Sequence, residues 1–315
     1  VALLGCSGDK KKGGGEGKKE GDGKKEDKGG GGDEDMKPVA VGSGIITGTV
    51  TLKEGVKPPI DELKAELKRK IEKSKDKNAC KEAYEQTTWL VDKNRNVQNV
   101  VVWIMPEKET QFFDAKELAL KKKDFDEIVV LDQPHCHFEP RIVVLFPAYI
   151  EATKPKTEEG EVNYVPTTQK FYAVNPTEIK HNTKLIFPTP GAGAKVSQVV
   201  DRSTKEKPEK GLNLTAAAKG IHPSDITKGP IQIGCDIHGW MEGYAWALPH
   251  PLAAVTNAKG EFKIANVPDS GKVRIFVWHE GADNKGFINK GGDAGEVIDL
   301  KSKDTKLAFT ISELK

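Results

Sequence analysis

The stretch that most constrains this chain is Ile231–Leu248, IQIGCDIHGWMEGYAWAL. Apolar residues alternate into it (Ile231, Ile233) and out of it (Tyr244, Trp246, Leu248), the pattern of two strands joined by a tight loop. The loop puts a thiol, an imidazole and a thioether within seven residues, Cys235, His238 and Met241. Such a loop can close around one metal ion. A soft thiolate, a borderline imidazole and a weak thioether are donors that suit copper in an electron-transfer site, and that set needs a second imidazole from elsewhere. The run Asn175–Asn182 offers one in His181. The chain has only 4 Cys and 3 Met. Two such rare types around one His argue for ligation over a buried Cys, a loop His and a core Met arising separately.

The rest of the chain reads mostly as short strands: Ile45–Leu52, Asn99–Met105, Phe125–Leu131, Ile142–Phe146, Lys170–Asn175, Thr183–Phe187, Gly271–Glu280 and Thr305–Ile311. Ala254–Asn266 reads as a hairpin turning near Ala258–Gly260. His181 falls in the turn between two of these strands, and Gly191–Pro230 reads as loop-rich. Asp61–Asn78 reads as an exposed helix with a thin apolar stripe (Leu63, Leu67, Ile71), its charges forming a solvated face. Phe113–Lys123 reads as a second helix. Many short strands with one or two short helices predict an all-β sandwich architecture.

Composition removes some classes of function. The 49 basic and 47 acidic side chains leave a net charge of +2, with no basic block interleaved with aromatics. Nucleic-acid binding is not expected. Asp9–Lys37 is almost entirely Gly, Lys, Glu and Asp, cannot bury apolar surface, and is expected to be a disordered tether of roughly 30 Å average span. The start, VALLGCSG, resembles the end of a bacterial lipoprotein signal peptide, with Leu3-Leu4-Gly5-Cys6 as the lipobox. That resemblance implies lipidation of Cys6 and a membrane anchor made of lipid, because no run approaches the ~20 apolar residues of a spanning helix.

Two further resemblances follow from motifs. Cys235-Asp236-Ile237-His238-Gly239-Trp240-Met241, with His250-Pro251 after the next strand, is similar to the cupredoxin-like proteins of planctomycetes and their relatives. The same resemblance takes in Leu131–Pro140 (LDQPHCHFEP) and Asn175–Asn182. It implies a cupredoxin fold and one mononuclear type 1 copper held by His181, Cys235, His238 and Met241. The sequence departs from the family pattern at Arg141, where a His often stands, and at Lys184, near which a second His is expected. Thr256, Gly260 and Phe262, followed by Val267-Pro268 and the strand Val273–Trp278, resemble the carboxypeptidase-regulatory-like β-module.

Together these give three expected parts. Residues 1–38 form the lipoprotein start and linker. Residues 39–107 plus 251–315 form a small discontinuous β-sandwich. Residues 108–250 form a Greek-key cupredoxin-like copper domain inserted into it.

The remaining thiols, Cys80 and Cys136, are expected to pair, since thiols outside the cytoplasm tend to oxidise to disulfides. A metal site at His135-Cys136-His137 is the alternative. On a strand, the thiol would face away from the two imidazoles. His222, His250 and His279 are expected to be structural or at the surface. The expected function is an extracytoplasmic, lipid-anchored electron carrier working with a redox partner protein. Catalysis is not expected, because four protein donors leave no open position. The competing expectation is a non-redox surface binding or scaffold protein, or a copper store. A copper oxidase or reductase would need a second copper site.

Overall fold

A computed structural model describes residues 36–85, 88–122, 125–151, 163–188, 196–219 and 229–315. The lipidation expected at Cys6, the tether up to residue 35, and His222 lie outside the described residues. Asp35–Lys315 forms one compact unit, and the fold is all-β.

One group of strands joins the two ends of this unit. β2 (Gly44–Leu52) lies between β16 (Glu261–Val267) and β19 (Asp304–Ile311), the latter parallel to it along its full length. β3 (Val101–Pro106) and β17 (Gly271–Trp278) pair at the centre of a second sheet, flanked by β15 (Ala253–Val255) and β18 (Glu296–Leu300). Ile46, Val50, Val102, Ile104, Phe262, Ile264, Val273, Ile275 and Val277 fill the core between them.

The unbroken apolar run of β3 has a simple cause. Successive side chains on a strand face opposite ways, and here both faces are covered. Val102 and Ile104 enter this core, while Val101 and Trp103 enter a second cluster with Trp246, Phe276, Trp278 and Phe287. Trp103 stacks on Phe276 at 5.0 Å and tilts against Trp246 at 4.4 Å.

The other group holds the candidate site. Its larger sheet runs β11 (Ser197–Val200), β10 (His181–Ile186), β13 (Ile231–Gly234), β14 (Glu242–Ala247), β6 (Ile142–Leu145). Its smaller sheet runs β12 (Leu212–Asn213), β9 (Lys170–Val174), β5 (Ile128–Asp132). Leu131, Phe138, Val143, Leu145, Phe171, Leu185, Ile231 and Ile233 lie in the core cluster of this group. Two small pairings complete the fold: β1 (Lys37–Ala40) with β4 (Gln111–Asp114), and β7 (Ala148–Glu151) with β8 (Asn163–Pro166). Trp246 on β14 and Ile142 on β6 turn away from the site and join the aromatic cluster on β3 and β17. The two groups are also tied by Arg141, whose guanidinium grips the buried Glu280 carboxylate at 2.5 and 2.7 Å.

Several expectations need correction. The helix expected over Asp61–Asn78 is α1, Ile60–Glu72; its apolar stripe stops at the fully buried Ile71, and a turn-rich strap follows. Phe113–Lys123 is strand β4 followed by α2 (Lys116–Lys121), because Phe112 and Phe113 are both buried as strand residues. Ala254–Asn266 is not a hairpin: β15 pairs with β3 and β16 with β2, so the turn at Asn257–Gly260 crosses between sheets. His181 opens strand β10 instead of sitting in the turn before it. Within the expected loop Gly191–Pro230, the described part carries β11, β12 and α3 (Thr215–Lys219). Three α-helices are described among the strands, in keeping with the expected all-β architecture with few helices. β1 begins at Lys37, inside the expected tether, and pairs with β4 beyond residue 107.

Candidate metal centre

Ile231–Leu248 folds as the antiparallel hairpin its alternation suggests, with Gly234 opposite Glu242. That register sets Cys235 and Met241 across the mouth of the loop, one residue beyond the last pair on each side. Cys235 and Met241 are both buried in the core cluster of this group. β10 lies against β13 with Lys184 opposite Gly234. His181, three residues earlier on β10, is thereby carried toward the loop that follows Gly234.

Cys235, His181 and His238 converge. One donor atom from each lies within 4.8 Å of the other two. The Nδ1 atoms of His181 and His238 face each other at 3.0 Å. Nitrogens bound at ~2.0–2.1 Å to one tetrahedral-like ion, with sulfur at ~2.3 Å, stand roughly 3–4 Å apart. The two imidazole nitrogens, 3.0 Å apart, stand in that range, and the thiol belongs to the same 4.8 Å group of donors. Both imidazoles are fully buried. Burial first, and the neighbouring His238 second, lower His181 to about 4. Its ring is thus neutral at ordinary pH, with a lone pair to give. Its Nε2 is buried without a hydrogen-bond partner among the described residues.

The loop is held from β10 by Asn182. Its Oδ1 accepts the backbone N–H of Asp236 at 2.8 Å and of Ile237 at 3.3 Å, and the Cys235 thiol at 3.3 Å. Its Nδ2 donates to Ser197 and Asp236. The His238 N–H points at the Cys235 sulfur, 3.4 Å away. Such donors tune a ligating sulfur.

The far side of His238 is covered by the strap between α1 and residue 85. Cys80 and Cys136 form a disulfide, whose sulfurs lie within 4.8 Å of a ring nitrogen of His238. On the same strap, Asp76 Oδ2 sits 3.1 Å from His238 Nε2. The Cys136 carbonyl accepts the Trp240 indole N–H at 3.1 Å, and that ring lies 5.0 Å from His238. Trp240 is half-buried between core and surface.

Of the four expected ligands, His181, Cys235 and His238 come together, Met241 lies in the same core cluster as Cys235, and the expected pair Cys80 and Cys136 is bonded. Asp76, expected on a solvated face, stands against His238 instead. The segment Pro134–Cys136 is a turn instead of a strand, with His135 and Cys136 in left-handed backbone. His135 pairs with Glu82 at the surface, and His137 lines a cleft beside Arg141 and Trp240. His250 and His279 are packing residues: His250 meets Met105 Sδ at 3.2 Å, and the His279 ring lies tilted against Trp89 at 4.2 Å. Arg141, the departure from the family pattern, is used in the tie to Glu280.

No protein-family model, curated protein or solved structure matches the chain.

Proposed function

We propose that this protein is an extracytoplasmic electron carrier with one type 1 copper ion, held by Cys235, His181 and His238 with Met241 as a weak fourth donor. The observation that carries this reading is the convergence of one thiol and two imidazoles within 4.8 Å, all buried, from strand β10 and from the loop that follows β13. A thiolate with two imidazoles and a thioether nearby favours copper over zinc or a hard cation. When bound, the metal supplies one-electron chemistry between Cu(I) and Cu(II). The chain's part is to hold the donors still. β10 and β13 fix the backbone of His181 and Cys235, and Asn182 clamps the loop between Cys235 and His238. The strap keeps water from His238. The Cys80–Cys136 disulfide supports an oxidising compartment, which agrees with the lipidation expected at Cys6 and with a redox partner outside the cytoplasm.

The test is colour. Purified protein loaded with Cu(II) is expected to be intensely blue, to bleach with ascorbate and to bind one copper per chain. Cys235→Ser is expected to lose the blue band while keeping its fold by circular dichroism. Wild-type protein that stays colourless at full copper loading would overturn the reading.

A further inference from the structure

Asp76 has no place in the ligand set, yet it is the acid of the strap that faces it. The other acids nearby are engaged elsewhere: Glu72 with the Tyr84 hydroxyl, Glu82 with His135 and Glu85 with Lys64. The turn that presents Asp76 is well specified. Ser74 Oγ accepts the Asp76 N–H at 3.1 Å, and the Asp76 carbonyl accepts the N–H groups of Ala79 and Cys80 at 3.0 and 3.1 Å. Cys80 is then tied to Cys136, and the Cys136 carbonyl holds Trp240, two residues beyond His238. The strap is thus fastened beside the imidazole it covers.

We propose that Asp76 is a positioning residue for His238. Its carboxylate holds the Nε2–H and so leaves the lone pair on Nδ1, facing His181 and Cys235. A neutral imidazole carries one proton on one of its two nitrogens, and the partner of one nitrogen decides the role of the other. An ionised carboxylate only accepts, so at 3.1 Å it selects the Nε2–H form. That form turns the Nδ1 lone pair toward the point where the three side chains converge, and in the metal-free protein this lone pair accepts the Nδ1–H of His181 at 3.0 Å. A carboxylate on the outer N–H of a ligating imidazole also raises its basicity. The proposal rests on the copper reading for its purpose, but not for its geometry.

The experiment separates the two. Long-range proton–nitrogen NMR on the copper-free wild-type protein reads the tautomer of His238 directly. A proton on Nε2 is expected. In Asp76→Asn, whose amide can donate to Nε2, the Nε2–H form is expected to lose its dominance, and Asp76→Glu is expected to restore it in part. Copper affinity of Asp76→Asn, measured by competition with a chelator, is expected to fall about 10- to 100-fold, with a higher reduction potential. A wild-type His238 protonated on Nδ1 would overturn the proposal, as would an Asp76→Asn protein unchanged in both tautomer and affinity. A tautomer that follows residue 76 in a protein that takes up no copper upholds the hold of Asp76 on His238 and overturns the copper reading alone.

Discussion

Asn182 is the residue on which the ligand loop depends most. One amide oxygen takes two backbone N–H groups and the thiol, and the amide nitrogen binds Ser197 and the Asp236 carboxylate. Replacing it with Ala removes the acceptor shared by the Asp236 and Ile237 N–H groups and the buried Cys235 thiol. Each donor left unsatisfied costs on the order of 1–3 kcal/mol. Asn182→Ala is therefore expected to lower the urea midpoint of the copper-free protein by an amount equivalent to roughly 2 kcal/mol. An unchanged midpoint would show that the loop holds itself. At this scale the sequence is informative about rare residues and silent about common ones. A thiol, an imidazole and a thioether three residues apart stand out in a chain with few of each. Asp76 does not, because one acid in a lysine- and glutamate-rich run carries no pattern that says which way it faces. Its direction is set by the turn after α1 and by a disulfide partner 56 residues away.

At the scale of elements, periodicity found the strands but not all of their partners. β3 reads as a continuous apolar run because it serves two clusters, a fact that alternation alone cannot express. The turn at Asn257–Gly260 has hairpin chemistry, with Asn257 Oδ1 accepting the Lys259 and Glu261 N–H groups. The strands on either side nevertheless enter different sheets, since each has a longer apolar neighbour to cover. The strap is the element least legible in the sequence, and its fastening is testable. Closing a loop of this length removes unfolded-chain entropy worth about 4 kcal/mol. Cys136→Ser is expected to lose stability on that order in chemical denaturation, with faster amide exchange in residues 73–85 than in β13 and β14. Equal exchange in the two regions would mean that packing of Ile71 and Ala83, not the disulfide, holds the strap in place.

At the scale of the whole molecule, histidines buried without charge set the response to acid. Burial lowers His250 to about 3. Burial, followed by the charges of Arg141 and Lys315, lowers His279 to about 3. His250 is walled by Phe113 and Met105, and His279 by Trp89 and the Gly281 N–H. Among the described residues, neither has a carboxylate hydrogen-bonded to its ring to stabilise a proton. Unfolding returns each to an ordinary value near 6.5, so between about 6.5 and 3 the unfolded chain binds more protons than the folded one. Stability is therefore full above pH 6.5 and falls as the pH drops below it, by up to about 1.4 kcal/mol per pH unit for each such ring. His181 adds to the same slope in copper-free protein. Carboxylates titrate chiefly below pH 5, so the window from 6.5 to 5 isolates the histidines. His250→Asn with His279→Asn keeps an acceptor near each Nδ1 and removes the titration. The double variant is expected to start less stable at pH 7 but to lose stability more slowly between pH 6.5 and 5, read from urea midpoints at each pH. Equal slopes in the two proteins would show that these rings already carry a proton in the folded state, or that the unfolded chain shields them as well as the core does.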